Sequence, residues 1–239
     1  MSALGGSALV GGVVFAKELW HYWKPRKVGV YGPTTVGKTT LDRYMTTPGE
    51  MEEIPLADRT KHFKVPGINR FLLPRPSRKR VTYKGDTRVV YSSDIGGEER
   101  FWNLWVDDMV NRQVEAVVFL IDHRSSKGGE EAVQAVGGFK YLVDAILHRQ
   151  YRYRKFKAWF KGKKYAPKLI MLVANKADQW WDEQANVLWQ QQRLGEHRIF
   201  DPFREDLVRL QKAGVPTKRG MMATKIGWNV ENTMLDLLS

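Results

Sequence analysis

Cysteine is absent from all 239 residues. That gap removes a disulfide framework, thiolate metal sites, a catalytic thiol, palmitoylation and a prenylated C-terminus together. It suits a reducing compartment. Glycine is missing from position 2, where Ser2 stands, so N-myristoylation is not expected. The sequence also lacks internal repeats and extended low-complexity tracts. A chain of this length buries a core without covalent or metal staples, and one domain with additions is expected.

Acidic residues are in short supply, 26 Asp and Glu against 39 Lys and Arg, for a net charge of +13. Such a surface attracts phosphate-rich partners, whether nucleic acid, anionic lipid or acidic protein. Charge is missing altogether from "MSALGGSALVGGVVFA", residues 1–16, whereas the next stretch sets Trp20, Tyr22 and Trp23 among Lys17, Lys24, Arg26 and Lys27. This order resembles a membrane insert followed by its interfacial belt. As a helix the uncharged part would be about 24 Å long at ~1.5 Å per residue, short of the ~30 Å hydrocarbon core. A clean span is therefore not expected. Ala8, Gly12 and Ala16 recur every four residues and would give such a helix a flat face suited to close packing; the alternative is a Gly-rich segment that docks on the domain or takes no structure. Positive charge follows the apolar run, the reverse of a cleaved signal peptide. Residues 1–26 are accordingly set apart from a domain at 27–239.

From Val28 onward, apolar runs of strand length alternate with longer amphipathic segments, which predicts an α/β domain with a mostly parallel sheet. "KVGVYG" (27–32) is the first strand. "KRVTY" (79–83) and "TRVVYSSD" (87–94) form a hairpin across "KGD", and "VEAVVFLID" (114–122) and "KLIMLVANKAD" (168–178) are buried central strands. "RGMMATK" (219–225) is a weaker last strand. Helices are expected over 39–45, 129–149, 180–193, 202–213 and 229–238.

"GPTTVGKTT", residues 32–40, fits GxxxxGK[ST] through Gly32, Gly37, Lys38 and Thr39, with a strand before and a helix after. Glycines let the backbone curl so that successive N–H groups, those of Thr34, Thr35, Val36, Gly37 and Thr40 included, face phosphates beside a helix N-terminus. Lys38 would bridge the β and γ oxygens, and the Thr39 hydroxyl would ligate Mg²⁺. "NKAD", with Asn175, Lys176 and Asp178, follows an apolar strand at the sheet edge where α/β ligands bind. A carboxylate at Asp178 can accept two hydrogen bonds from guanine N1 and its 2-amino group, a donor pair that adenine lacks. Between the two motifs, "DIGGEERFWNLW" places Asp94 where it could reach Mg²⁺ through water and the Gly97 amide where it could register a γ-phosphate.

In order and spacing these motifs resemble the Ras-like small GTPases over residues 27 to 238. "DIGG" followed by an aromatic-rich helix start is most similar to the Arf-like branch and the Gα subunits. The apolar N-terminal element is similar to that of the membrane-bound β subunit of the signal-recognition-particle receptor. The resemblance implies an α/β fold of the Ras-like P-loop NTPase kind, with a six-stranded, mostly parallel sheet, helices on both faces and an added N-terminal apolar helix. "ATK" (Ala223, Thr224, Lys225) falls where that family places its base-contacting "SAK" loop. The family also closes a threonine onto Mg²⁺ and the γ-phosphate, and Thr60 in "ADRTKHF" is the expected one, Thr46 and Thr47 being too close to the phosphate loop.

Two departures bear on catalysis. Glu98 stands where the family has the glutamine that orients the attacking water; its negative charge and missing amide donor predict slow unaided hydrolysis. Thr34 replaces a common glycine and could obstruct an arginine finger from a partner. Arg100, next door, is expected to be solvated.

Residues 149–164, "RQYRYRKFKAWFKGKK", hold eight Lys or Arg, five aromatics and no acid. Such interleaving suits single-stranded nucleic acid or an anionic membrane, and a helix extension with inward aromatics is the plainer alternative. "RPSRKR" (75–80) is a second basic stretch. With the N-terminal segment beside them, lipid is favoured over nucleic acid. The expectation is a GTP- and Mg²⁺-dependent switch at the cytoplasmic face of a membrane, with an effector and, by resemblance, activating and exchange proteins. Phe101, Trp102 and Trp105 are expected on its effector surface. The alternative is a docking subunit that holds its nucleotide without hydrolysing it.

Overall fold

The computed structural model describes residues 25–46, 72–83, 86–148 and 166–238. The proposed N-terminal apolar helix, Thr47, Thr60 and the basic insertion at 149–164 lie outside them.

Among the described residues, six strands form one sheet in the order β2-β3-β1-β4-β5-β6. They are β1 (Arg26–Tyr31), β2 (Ser77–Tyr83), β3 (Asp86–Ser92), β4 (Ala116–Ile121), β5 (Leu169–Ala174) and β6 (Thr217–Met221). Only the β2–β3 pair is antiparallel, as the hairpin requires; β1, β3, β4, β5 and β6 run parallel. The helices are α1 (Lys38–Thr46), α2 (Trp102–Arg112), α3 (Glu130–Leu147), α4 (Glu183–Gln190), α5 (Arg204–Lys212) and α6 (Val230–Leu238).

The unbroken apolar runs of β4 and β5 arise because both sheet faces are covered. Side chains alternate between faces with period two. Val117, Phe119 and Ile121, with Ile170, Leu172 and Ala174, therefore join the core under α2, α3 and α5. Val118, Leu120, Met171 and Val173 join a second core with Leu41 and Met45 of α1 and Val230, Met234 and Leu237 of α6. β6 is an edge strand guarded by charge: Lys218 pairs with Asp236 and Arg219 donates to the Gly195 carbonyl.

Three elements differ from expectation. β6 starts and stops earlier than 219–225, because its pairing with β5 ends at Met221 and Ala223 turns to exchange backbone hydrogen bonds with Trp228. α4 is shorter than 180–193, since the Asp182 carboxylate caps it by accepting from the Ala185 amide at 2.8 Å. α2 was signalled only by its aromatic start. One buried network anchors it: the Tyr31 hydroxyl donates to Asp108 at 2.8 Å, and Arg112 forks onto the same carboxylate while donating to the Tyr91 and Val28 carbonyls. This fixes α2 against the ends of β1 and β3.

Candidate nucleotide site

Five parallel strands deliver their C-terminal ends to one edge, and each is followed by a residue of interest. β1 leads into Gly32, β3 into Asp94, β4 into Asp122, β5 into Asn175, and β6 into Ala223 to Lys225. The chain leaves β1 through α1 for the β2–β3 side of the sheet and returns from β3 through α2 to β4 on the other side of β1, and this reversal of strand order opens a crevice outside the strand ends.

The loop after β1 curls through three residues of positive φ, Gly32 (142°), Thr35 (67°) and Gly37 (96°). At Gly32 a Cβ would meet the Leu120 carbonyl oxygen at 2.4 Å, so glycine is required on both steric and conformational grounds. Lys38 opens α1 and folds back over the loop, donating to the Gly32 carbonyl at 2.9 Å and the Pro33 carbonyl at 2.6 Å. Burial strips water from its ammonium and lowers its pKa to about 8, with the Asp94 charge opposing the shift. Thr40 lies in the first turn of α1. The Val36 side chain is buried, leaving its main chain to the loop.

The Thr39 hydroxyl donates to Asp94 Oδ2 at 2.9 Å. Among the described residues no group of three or more His, Cys, Asp or Glu converges on a metal position. A hydroxyl beside a carboxylate is nonetheless the hard-oxygen donor set of Mg²⁺, which keeps several waters and takes its other ligands from phosphate. Thr39 and Asp94 are the residues that could hold it. Thr46 is engaged elsewhere, its hydroxyl donating to the Asp42 carbonyl.

Gly97 packs on the loop so closely that a Cβ would lie 2.2 Å from the Pro33 carbonyl carbon. Two indoles hold this segment from behind, Trp105 Nε1 donating to the Gly96 carbonyl at 2.9 Å and Trp102 Nε1 to that of Gly97 at 3.4 Å. Phe101 and Trp105 are buried in the core, which corrects their expected place on an effector surface; Trp102 alone of the three is half-exposed. α3 admits these rings because Gly137 and Gly138 carry no side chain where they sit. Glu98 is held by Arg100 in an exposed ion pair of 2.7 Å, and the Arg100 guanidinium also lies over the Phe101 ring. The Thr34 hydroxyl is buried, with no hydrogen-bond partner among the described residues.

On the opposite side, Asn175 is fully buried and ties two loops together. Its amide donates to the Val36 carbonyl at 2.8 Å and to Thr224 Oγ1 at 3.0 Å, and its oxygen accepts from the Thr224 amide at 3.0 Å. The phosphate-type loop and the "ATK" loop thus share one strut. Ala223 and Thr224 are buried beside it, while Asp178 and Lys225 are exposed at the rim. Lys176, in a left-handed conformation, donates to Asp122 at 3.0 Å.

The motifs did not signal Asp122 or Arg124. An acid ending an otherwise apolar strand was the available cue. The second basic stretch is also corrected in part. Lys79 is buried, paired with Asp42 and donating to Ser92 Oγ at 2.8 Å, whereas Arg75, Arg78 and Arg80 face solvent.

No protein-family model matches the chain, and no curated protein matches it in sequence. Among solved structures it is similar to one described as bacterial selenocysteine-specific elongation factor EF-Sec, with a TM-score of 0.50 and 15% identity over 90% of this chain. The match takes in 28% of that much longer chain. With the strand order above, this likeness shows an α/β fold with a six-stranded, mostly parallel sheet. Among the described residues no helix is long and apolar enough to cross a membrane.

Proposed function

We propose that the chain binds GTP and GDP with Mg²⁺ and acts as a nucleotide-dependent switch that hydrolyses GTP slowly. The observation that carries this is the Asn175 strut. It joins the main chain of the phosphate-type loop to the "ATK" loop and sets Asp178 at the rim of the same crevice. Phosphates would lie on the loop amides and Lys38. Guanine would lie against Lys176 with its N1–H and 2-amino group on Asp178. When bound, Mg²⁺ neutralises phosphate charge and orients its oxygens; Thr39 and Asp94 present the oxygens for it. Glu98 can accept a hydrogen bond from water, and its charge beside an anionic phosphate keeps that step slow. Placement near the Arf-like branch rests on "DIGG" and the aromatic start of α2. A membrane-facing role with an effector rests on the charge pattern and the apolar N-terminal sequence.

A second assignment, a docking subunit that retains nucleotide unhydrolysed, is favoured by Glu98 itself, a carboxylate without an amide donor where the water-orienting residue would stand. Single-turnover hydrolysis of bound GTP by the wild type, Glu98→Gln and Lys38→Ala separates the two. Slow wild-type turnover, faster in Glu98→Gln, supports the switch. Bound GTP that persists in the wild type, even with cell extract added, supports the docking subunit.

A further inference from the structure

The buried Asp122 carboxylate belongs to none of the three motifs, yet donors crowd it. The Arg124 amide reaches Oδ1 at 3.1 Å, Arg124 Nε reaches Oδ2 at 3.1 Å and Nη2 reaches it at 2.5 Å, while Lys176 Nζ closes on it from the base side at 3.0 Å. A short capping turn holds the group in place, with Ser125 Oγ accepting from the Asp122 amide at 3.3 Å. Arg124 has one more reach. Its Nη2 donates to Thr35 Oγ1 at 2.8 Å and lies 3.4 Å from the Thr35 carbonyl. The result is a continuous chain from Lys176 through Asp122 and Arg124 to Thr35, spanning the crevice between the two loops.

Thr35 needs such support. At φ 67° it is the phosphate-type loop's only non-glycine residue in the left-handed region. That conformation costs an L-residue about 1–2 kcal/mol, and it persists where surrounding contacts over-determine it. Arg124 Nη2 supplies those contacts from outside the loop.

We propose that Arg124 is a positioning residue: it braces Thr35 from Asp122, fixing the phosphate loop against the guanine loop and so slowing nucleotide release. This rests on the nucleotide-binding assignment above. The guanidinium is committed to a buried carboxylate and to Thr35, so its net charge toward a phosphate is largely cancelled. Its effect falls on how well the loop amides are aimed before ligand arrives, which is preorganisation. Ground and transition states share that gain equally.

The test is the dissociation of fluorescently labelled GDP and GTP from the full chain with Mg²⁺, beside single-turnover hydrolysis and thermal unfolding. Arg124→Gln is expected to speed release of both nucleotides about tenfold, the loss of one charge-assisted hydrogen bond. The hydrolysis rate of bound GTP is expected to change far less. Thr35→Val removes the Oγ1 acceptor alone and is expected to speed release about threefold. In an Arg124→Gln background it should add nothing, because the two residues form one contact. Arg124→Lys, which keeps a charge on Asp122 but loses the fork, should behave like Thr35→Val. Should Arg124→Gln fail to fold, the Thr35→Val and Arg124→Lys rates decide alone. Unchanged release in the variants, additive effects in the double variant, or a hydrolysis defect larger than the release defect each overturn the proposal while leaving the binding assignment intact. A wild type that binds no guanine nucleotide overturns both.

Discussion

Phosphate binding at the proposed site would be reported by the proton of Lys38. In the free protein its ammonium is buried against two carbonyls and its pKa is lowered to about 8 from 10.5. Phosphate oxygens arriving beside it would stabilise the charged form and raise that value, so binding at alkaline pH must draw a proton from buffer. At pH 8.5 the free lysine is about three-quarters deprotonated, which predicts uptake of about 0.8 proton per GDP bound; at pH 7 the figure is about 0.1. GDP affinity should be full below pH 8 and fall as pH rises above it, by up to about tenfold per unit. The sign for folding is opposite. With its folded-state value depressed, Lys38 opposes folding below pH 8, and that penalty fades between pH 8 and 10.5. Calorimetric titration of GDP at pH 8.5, in buffers of different ionisation enthalpy, measures the uptake directly. Lys38→Arg is the control, since guanidinium does not titrate in this range. No uptake in the wild type, or undiminished uptake in Lys38→Arg, would refute the reasoning.

Other substitutions test separate parts of the site. Gly32→Ala puts a Cβ 2.4 Å from the Leu120 carbonyl oxygen at φ 142° and should lower stability by roughly 2–4 kcal/mol in denaturant unfolding. Arg112→Met leaves the buried Asp108 carboxylate without its cation and should cost about 3–5 kcal/mol by the same measurement. Glu98→Gln restores an amide donor and removes a charge, and single-turnover hydrolysis should rise about tenfold.

Sequence made the strands and the curled loop after β1 legible for physical reasons. Strands covered on both faces are apolar without interruption, and a loop that must curl around phosphate needs glycines at fixed intervals from a lysine and a hydroxyl. Trp105 was misjudged because aromatics near a switch motif suggest an exposed surface, whereas the small Gly137 and Gly138 in α3 make room for indole rings inside. Lys79 looked like surface charge; period-two alternation turns it inward, where Asp42 and Ser92 meet it. The brace from Arg124 to Thr35 joins residues 89 positions apart. No spacing rule encodes such a pair, and it becomes visible only once β4 and the phosphate-type loop lie side by side.

The central claim is that this crevice selects guanine through Asp178. It is tested most directly by titrating GDP, ADP and XDP, with Mg²⁺, into the wild type and Asp178→Asn. The wild type is predicted to bind GDP at least about 100-fold tighter than ADP, because adenine offers no donor pair to Asp178 and two charge-assisted hydrogen bonds go unmade. Asp178→Asn should lose GDP and gain XDP, whose 2-oxo group accepts from the new amide. Equal affinity of the wild type for GDP and ADP, or GDP binding that survives Asp178→Asn unchanged, would contradict the account.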